Sequence, residues 1–280
     1  MENTAVFTRQ ELDTYFASYV GMEGGNPRAS VWFCDRSPNP WSEHLKAPLE
    51  PRMAPLSWDH AFREAHRGSM GKWLSHQRIA RIMAAARAEL LGLRDADADW
   101  KPYYEHCLYS SRGAEFKLNL FPLPVQLDGL TPWSRVFRGQ PELVPKERYL
   151  DLCRYGGRFR FLAEMCARWR PKVVVCLGHR HTEDFVSAFA LDGAAMQERQ
   201  LQPADLVKSL RVFTRDDSTW IICPALAGPS GLTSDVLLSA FGKLLAARLD
   251  PADFAPASQA RQAADVRPWQ QPAAHLGQPR

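Results

Sequence analysis

Three runs of apolar residues that never alternate with polar ones constrain this chain most: Val31-Trp32-Phe33-Cys34, Val173-Val174-Val175-Cys176-Leu177 and Trp220-Ile221-Ile222-Cys223. A strand with one wet face alternates, whereas a strand apolar at every position must be covered on both faces. That is the condition of a mostly parallel sheet between layers of helices. Phe116-Lys117-Leu118-Asn119 supplies a further strand, ending just before the break at Pro122. The expected fold is therefore α/β: three layers, α/β/α, around a central, mostly parallel four-stranded sheet of Val31–Cys34, Lys117–Asn119, Val173–Leu177 and Ile221–Cys223.

The intervening segments read mainly as helices. Thr8-Arg9-Gln10-Glu11 has capping-box spacing ahead of the apolar face Leu12, Tyr15, Phe16 and Tyr19. Ser75 is the expected cap of a helix running to Leu91, and Ser234 that of a helix from Asp235 to Leu249. Glu147 to Trp169 reads as helix interrupted at Gly156-Gly157, with Arg154, Arg158 and Arg160 on its outer faces. Arg211 to Thr214 and Thr219 to Pro224 flank a polar turn, the pattern of a hairpin. Residues 1–250 are expected to form one domain, followed by a Pro/Ala/Gln-rich disordered tail over 251–280.

Composition narrows the classes of function. No window of eighteen apolar residues exists, and the first twenty residues lack the apolar core of a signal peptide, so a cytoplasmic protein without membrane contact is expected. The six cysteines form no C-x-x-C pair, which argues against a zinc site or an iron–sulfur cluster. Asp95, Asp97 and Asp99 lack the glycine and distal glutamate of a calcium loop and read as a solvated turn. Neither metal nor cofactor is expected. The net charge of +4 is modest, but Trp133 to Arg180 holds eleven Arg/Lys against four Asp/Glu. His60 to Arg81 is rich in Arg, Lys and His with the single acid Glu64. Such patches suit a polyanion.

Two loops concentrate polar side chains at strand ends, where open α/β sheets place ligands. Asp35-Arg36-Ser37-Pro38-Asn39-Pro40-Trp41 follows the first strand and is stiffened by its prolines. Gly228-Pro229-Ser230-Gly231-Leu232-Thr233 follows the last strand and leads into a helix amino terminus suited to an anion. Gly21, Gly24 and Gly25 match no phosphate-binding pattern and read as backbone freedom.

The order of these features resembles the uracil-DNA glycosylase superfamily over roughly residues 24 to 249. The resemblance rests on a proline-bearing loop after the first strand, Leu118-Asn119 at the end of the second, and Gly228 to Thr233 as a late loop of the form N-P-S-G-L-S. Pro38 aligns with the family's loop proline, which sets Asp35 on its usual glycine, Ser37 on its Asp or Asn, and Asn39 on its Tyr or Gly. Gly228 stands where the family has His, Asn or Met. By resemblance the protein is a monofunctional DNA glycosylase that flips a base out of DNA and hydrolyses its N-glycosidic bond. These departures point away from plain uracil toward a modified pyrimidine, and so toward defence against phage with modified genomes.

On that reading Asp35, with Asn39 and Ser37, is catalytic: the carboxylate stabilises the sugar cation while its neighbours orient water. Asn119 reads the base, Trp41 stacks on it, and Arg36 assists binding. Gly228, Pro229, Ser230, Gly231 and Thr233 grip the DNA, and the basic residues near Lys72 and from Arg154 to Arg160 add phosphate contacts. No lysine lies in either loop, so no Schiff-base step is implied. DNA is the only expected partner, and the chain is expected to be a monomer. Two rivals stay open: a DNA-binding protein that keeps the fold without hydrolysis, and a nucleotide-processing α/β enzyme of another family.

Overall fold

The computed structural model describes residues 6–38, 50–93, 99–124 and 132–254. Helix α1 (Arg9–Phe16) is followed by the two-residue strand β1 (Gly24–Gly25) and by β2 (Val31–Asp35). Helices α2 (His60–Met70) and α3 (Leu74–Leu91) come next, then the short α4 (Trp100–Pro102), which runs into a π turn over Tyr103–Cys107. Strand β3 (Glu115–Asn119) precedes α5 (Trp133–Val136), α6 (Lys146–Tyr155) and α7 (Gly157–Trp169). The chain continues through β4 (Val173–Leu177), α8 (Thr182–Ala188), β5 (Met196–Leu201), β6 (Lys208–Arg215), β7 (Ser218–Cys223) and α9 (Asp235–Ala246).

The fold is α/β, and the sheet is wider than expected: seven strands in the order β1-β3-β2-β4-β7-β6-β5. The four expected strands are its contiguous parallel centre, β3-β2-β4-β7. Antiparallel β1 closes one edge against β3, while the β6–β7 hairpin carries antiparallel β5 to the other. β1 has only two residues and β5 is exposed at every position but Leu201, so neither carries the apolar run that marks a buried strand.

Alternate side chains of the central strands enter two separate cores. Trp32, Cys34, Val174, Cys176 and Ile222 pack with α1, α6, α7 and α8. Val31, Phe33, Val173, Val175, Ile221 and Cys223 pack with α3 and α9. The Thr8 capping box forms, with Glu11 N–H donating to Thr8 Oγ1 at 3.3 Å and Thr8 N–H to Glu11 Oε2 at 2.8 Å. α3 differs from expectation: it starts at Leu74, its cap residue is Trp73, and Ser75 lies within the first turn. The first four residues of the expected tail are ordered: Pro251–Phe254 makes a 3₁₀ turn in which Asp253 accepts from Ser30 Oγ at 2.5 Å and Lys172 Nζ at 2.7 Å. Residues 255–280 lie outside those described, as do 94–98 with Asp95 and Asp97.

Arg158 overturns its expected surface place. The break at Gly156 turns α7 inward, and Arg158 is fully buried. Its guanidinium donates to the carbonyls of Leu120 (3.0 Å), Asn119 (2.5 Å), Phe16 (3.3 Å), Ser18 (2.9 Å) and Val20 (3.1 Å). Burial pulls its pKa down to about 10, which still leaves it charged at neutral pH. These bonds tie the chain just before β1 to the carboxyl end of β3. Arg158→Met should cost about 3–5 kcal/mol in urea denaturation, because it strands buried carbonyls; a loss within about 1 kcal/mol would deny the guanidinium that role.

At the other end of β3 the buried Glu115 accepts from Tyr103 Oη at 2.5 Å and from Tyr109 N–H at 2.7 Å. Burial outweighs both bonds and raises its pKa from 4.5 to about 7. Across that window the folded state binds the proton and the unfolded state has released it, so stability falls as pH rises. The loss amounts to about 3 kcal/mol on completion. Glu115→Gln should remove this slope from denaturation midpoints measured between those pH values.

Candidate active site

Parallel pairing puts Asp35 directly beside Asn119 at the carboxyl ends of β2 and β3. The turn before β1 adds Glu23. Gly21 makes that turn at φ +69°, and a Cβ there would meet Pro122 Cα at 2.5 Å, so only glycine lets the chain pass so near. Glu23 N–H then donates to Lys117 O at 3.0 Å, which fixes its side chain over the end of β3.

Three buried or half-buried groups converge on the Glu23 carboxylate. Lys117 Nζ approaches Oε1 at 3.3 Å, Asn119 Nδ2 donates to the same oxygen at 2.8 Å, and His76 Nε2 donates to Oε2 at 3.0 Å. The carboxylate has no proton to give, so Nε2 carries the proton of this bond, and Nδ1 faces Tyr109 Oη at 3.2 Å. Lys117 also donates to Asn119 Oδ1 at 3.2 Å. Trp58 roofs the cluster, its ring 5.1 Å from that of His76 and its Nε1 donating to Glu23 O at 3.1 Å. Glu23 keeps 24% of its side-chain surface open, against 12% for His76 and 2% for Lys117, so the cluster is reached from solvent through Glu23.

The two carboxyl groups are driven apart electrostatically. Burial would raise Glu23, but the Lys117 ammonium and then His76 outweigh it and hold Glu23 well below the ordinary carboxylate range. For Asp35 burial wins: its pKa is raised despite Lys117 and a hydrogen bond from Arg36 N–H at 2.8 Å. Lys117, whose burial opposes its charge, is carried above its usual value by Glu23 and Asp35 and stays an ammonium. Two carboxyl groups at one strand end, one held low and the other raised, form the pattern of acid–base pairs.

The expected residues are only partly drawn together. Asp35 and Asn119 share the cluster, although the Asn119 amide is fully buried and engaged, its Nδ2 also donating to Gly21 O at 2.8 Å. Arg36 and Ser37 are half-buried beside Asp35, whereas Asn39 and Trp41 lie outside the described residues. Gly228, Pro229, Ser230, Gly231 and Thr233 leave β7 at the same end of the parallel sheet as Asp35. The strand they leave, β7, lies two strand spacings from β2, about 10 Å. Gly228, Pro229 and Ser230 are exposed, and Lys208 Nζ holds Ser230 O at 2.9 Å. Gly231 is wedged against the carbonyls of Ala225 and Ala227, where no Cβ fits. Among the basic residues expected to hold phosphates, Lys72 and Arg160 are exposed, Arg154 pairs with Asp184 at 2.7 Å, and Arg158 is withdrawn into the core.

Glu23, His76 and Lys117 were not among the expected site residues. A charge between Phe116 and Leu118 in a strand expected at the centre of the sheet is a usable signal for Lys117, since a buried ammonium demands a counter-ion. Glu23 is a lone acid in a glycine-rich turn, and nothing local marks His76. A separate cleft of about 540 Å³ between α3 and α9 is lined by Arg81, Trp100, Asp235 and Lys243, with none of the expected site residues. Among the described residues no group of His, Cys, Asp or Glu could hold a metal ion, and no helix is long and apolar enough to cross a membrane. Comparison of the chain with protein-family models, with curated proteins and with solved structures finds no match.

Lys117 and Glu23 should behave as one unit. Lys117→Met fills much the same space but takes the ammonium from two buried carboxyl groups, and should cost about 3–5 kcal/mol at neutral pH. Adding Glu23→Gln should recover much of that, giving a coupling energy well above the scatter of about 0.5 kcal/mol for independent sites. The depressed Glu23 pKa stabilises the fold above its unfolded value of 4.5, so the wild-type advantage should fade as pH falls below that value. Additive costs in a urea double-mutant cycle would show that the two do not act together.

Proposed function

We propose that the protein is a DNA glycosylase of the uracil-DNA glycosylase type, hydrolysing the N-glycosidic bond of a flipped-out pyrimidine that is modified rather than plain uracil. The supporting observation is the carboxyl pair at the mouth of β2 and β3: Glu23 held ionised by Lys117, and Asp35 beside it with its pKa raised by burial. Its position, in line with a late loop at the same sheet end, agrees with the resemblance in motif order.

The chemistry follows from the charges. As the bond between C1′ and the base nitrogen lengthens, positive charge grows on the sugar, and a fixed carboxylate in a partly dry cleft stabilises it. Water closes the new C1′–O bond; Asp35, its basicity raised by burial, takes one of the water's protons, and the departing base nitrogen takes one proton from solvent. Asn119 and His76 hold Glu23 rather than the substrate, because their hydrogen bonds already go to its carboxylate. The charged Lys117 is unsuited to attack, so no Schiff-base intermediate is proposed. A role in defence against phage with modified genomes would follow from a hypermodified substrate.

One observation favours a second reading, a DNA-binding protein that keeps the fold without hydrolysis: both Asn119 amide protons are already engaged, by Gly21 O and Glu23 Oε1, so the side chain has no donor left for a base. Mass spectrometry of bases released from DNAs carrying different modified pyrimidines separates the two. Release is expected from at least one substrate. Asp35→Asn and Glu23→Gln should each lower it by about a hundredfold or more, while Asp35→Asn leaves DNA affinity nearly unchanged. Salt-sensitive binding with no base released from any DNA would establish the binder instead.

A further inference from the structure

Beside the carboxyl cluster lies a patch of opposite sign. Arg36 follows Asp35 directly, and its guanidinium carbon stands 5.9 Å from the centre of the Phe121 ring. The guanidinium of Arg154, from the last turn of α6, stands 5.8 Å from the same ring. Both side chains are half-buried, as are those of Lys146 at the start of α6 and His181 in the turn after β4. Arg154 is spoken for, with Asp184 at 2.7 Å and Asp151 at 3.6 Å. Arg36 is not: it has no ion pair among the described residues, and its buried Nε finds no hydrogen-bond partner.

The electrostatics register this crowding. Burial and then Arg154 lower the Arg36 pKa against the pull of Asp184. Burial and then Arg36 lower both Lys146 and His181. Cations that partly desolvate and repel one another are costly unless an anion joins them. A donor fork such as Arg36 suits a tetrahedral oxyanion.

We propose that Arg36 and Arg154, flanked by Lys146 and His181, form a phosphate-ester subsite at the mouth of β2, next to Asp35. The inference rests on the glycosylase reading only for the source of the phosphate, the backbone of DNA beside the hydrolysed nucleotide. A free nucleoside monophosphate would present the same chemistry.

Binding by the full chain tests it, with inorganic phosphate, a deoxynucleoside 5′-monophosphate and a short single-stranded oligonucleotide as probes and an unphosphorylated nucleoside as control. Arg36→Gln removes the guanidinium that has no ion pair among the described residues, and Lys146→Gln provides a second, milder change at the rim. Arg36→Gln should weaken at least one phosphate-bearing probe about tenfold or more and leave the nucleoside unaffected. For the oligonucleotide, the slope of log affinity against log salt should fall by about 1 for each charge removed. Loss confined to the oligonucleotide supports the subsite and a DNA source. Loss confined to the monophosphate supports the subsite while overturning DNA as its ligand. Base release that fails in wild type while these losses persist refutes the glycosylase reading alone. Unchanged binding of every probe by folded Arg36→Gln and Lys146→Gln would overturn the proposal.

Discussion

Arg158 carries a full charge into the interior and is answered by main-chain carbonyls alone among the described residues. That arrangement is costly to build, since a desolvated guanidinium must find several well-placed acceptors at once, and it is correspondingly hard to deform. Its acceptors belong to the end of β3 and to the segment leading from α1 into the Gly21 turn. One side chain therefore sets the spacing between the strand that carries Lys117 and Asn119 and the turn that carries Glu23. The polar cluster at the strand ends inherits its geometry from this buried fork.

From that geometry follows a division of charge. Lys117 is shared between two carboxyl groups it cannot fully satisfy together; Glu23 takes the shorter-range bonds, and Asp35 is left with burial as its dominant influence. One residue further along the same loop, Arg36 faces other cations rather than a carboxylate of its own. The chain thus places a negative field and a positive field side by side, divided by the Asp35–Arg36 peptide. A substrate carrying a developing cation next to a fixed anion is polarised in the matching sense.

What could be read in the sequence was what local pattern dictates. Unbroken apolar runs gave three of the four parallel strands and the break at Pro122 marked the end of the fourth, Thr8 and Ser234 announced their helices, and Gly156-Gly157 marked the break that separates α6 from α7. Long-range partnership was not legible. Arg158 looked like any arginine on a helix face, and only the turn of α7 toward β3 shows that it is enclosed. Glu23 and His76 lie 53 positions apart and meet through tertiary packing, with no spacing rule to connect them. β5 escaped notice because an outer strand need not be apolar: its neighbours on one side are water.

That outer strand has a consequence for how the molecule meets copies of itself. An open sheet ends in rows of unpaired main-chain groups, a template on which another chain can grow. One edge here is only the two residues Gly24–Gly25, too short to nucleate a ladder. The other presents Gln197, Glu198, Arg199 and Gln200, whose exposed polar and charged side chains would have to be desolvated by an incoming strand. Both borders of the sheet are thereby poor seeds for edge-to-edge growth, and its strongly apolar central strands are kept away from the kind of contact that leads to fibrous aggregation.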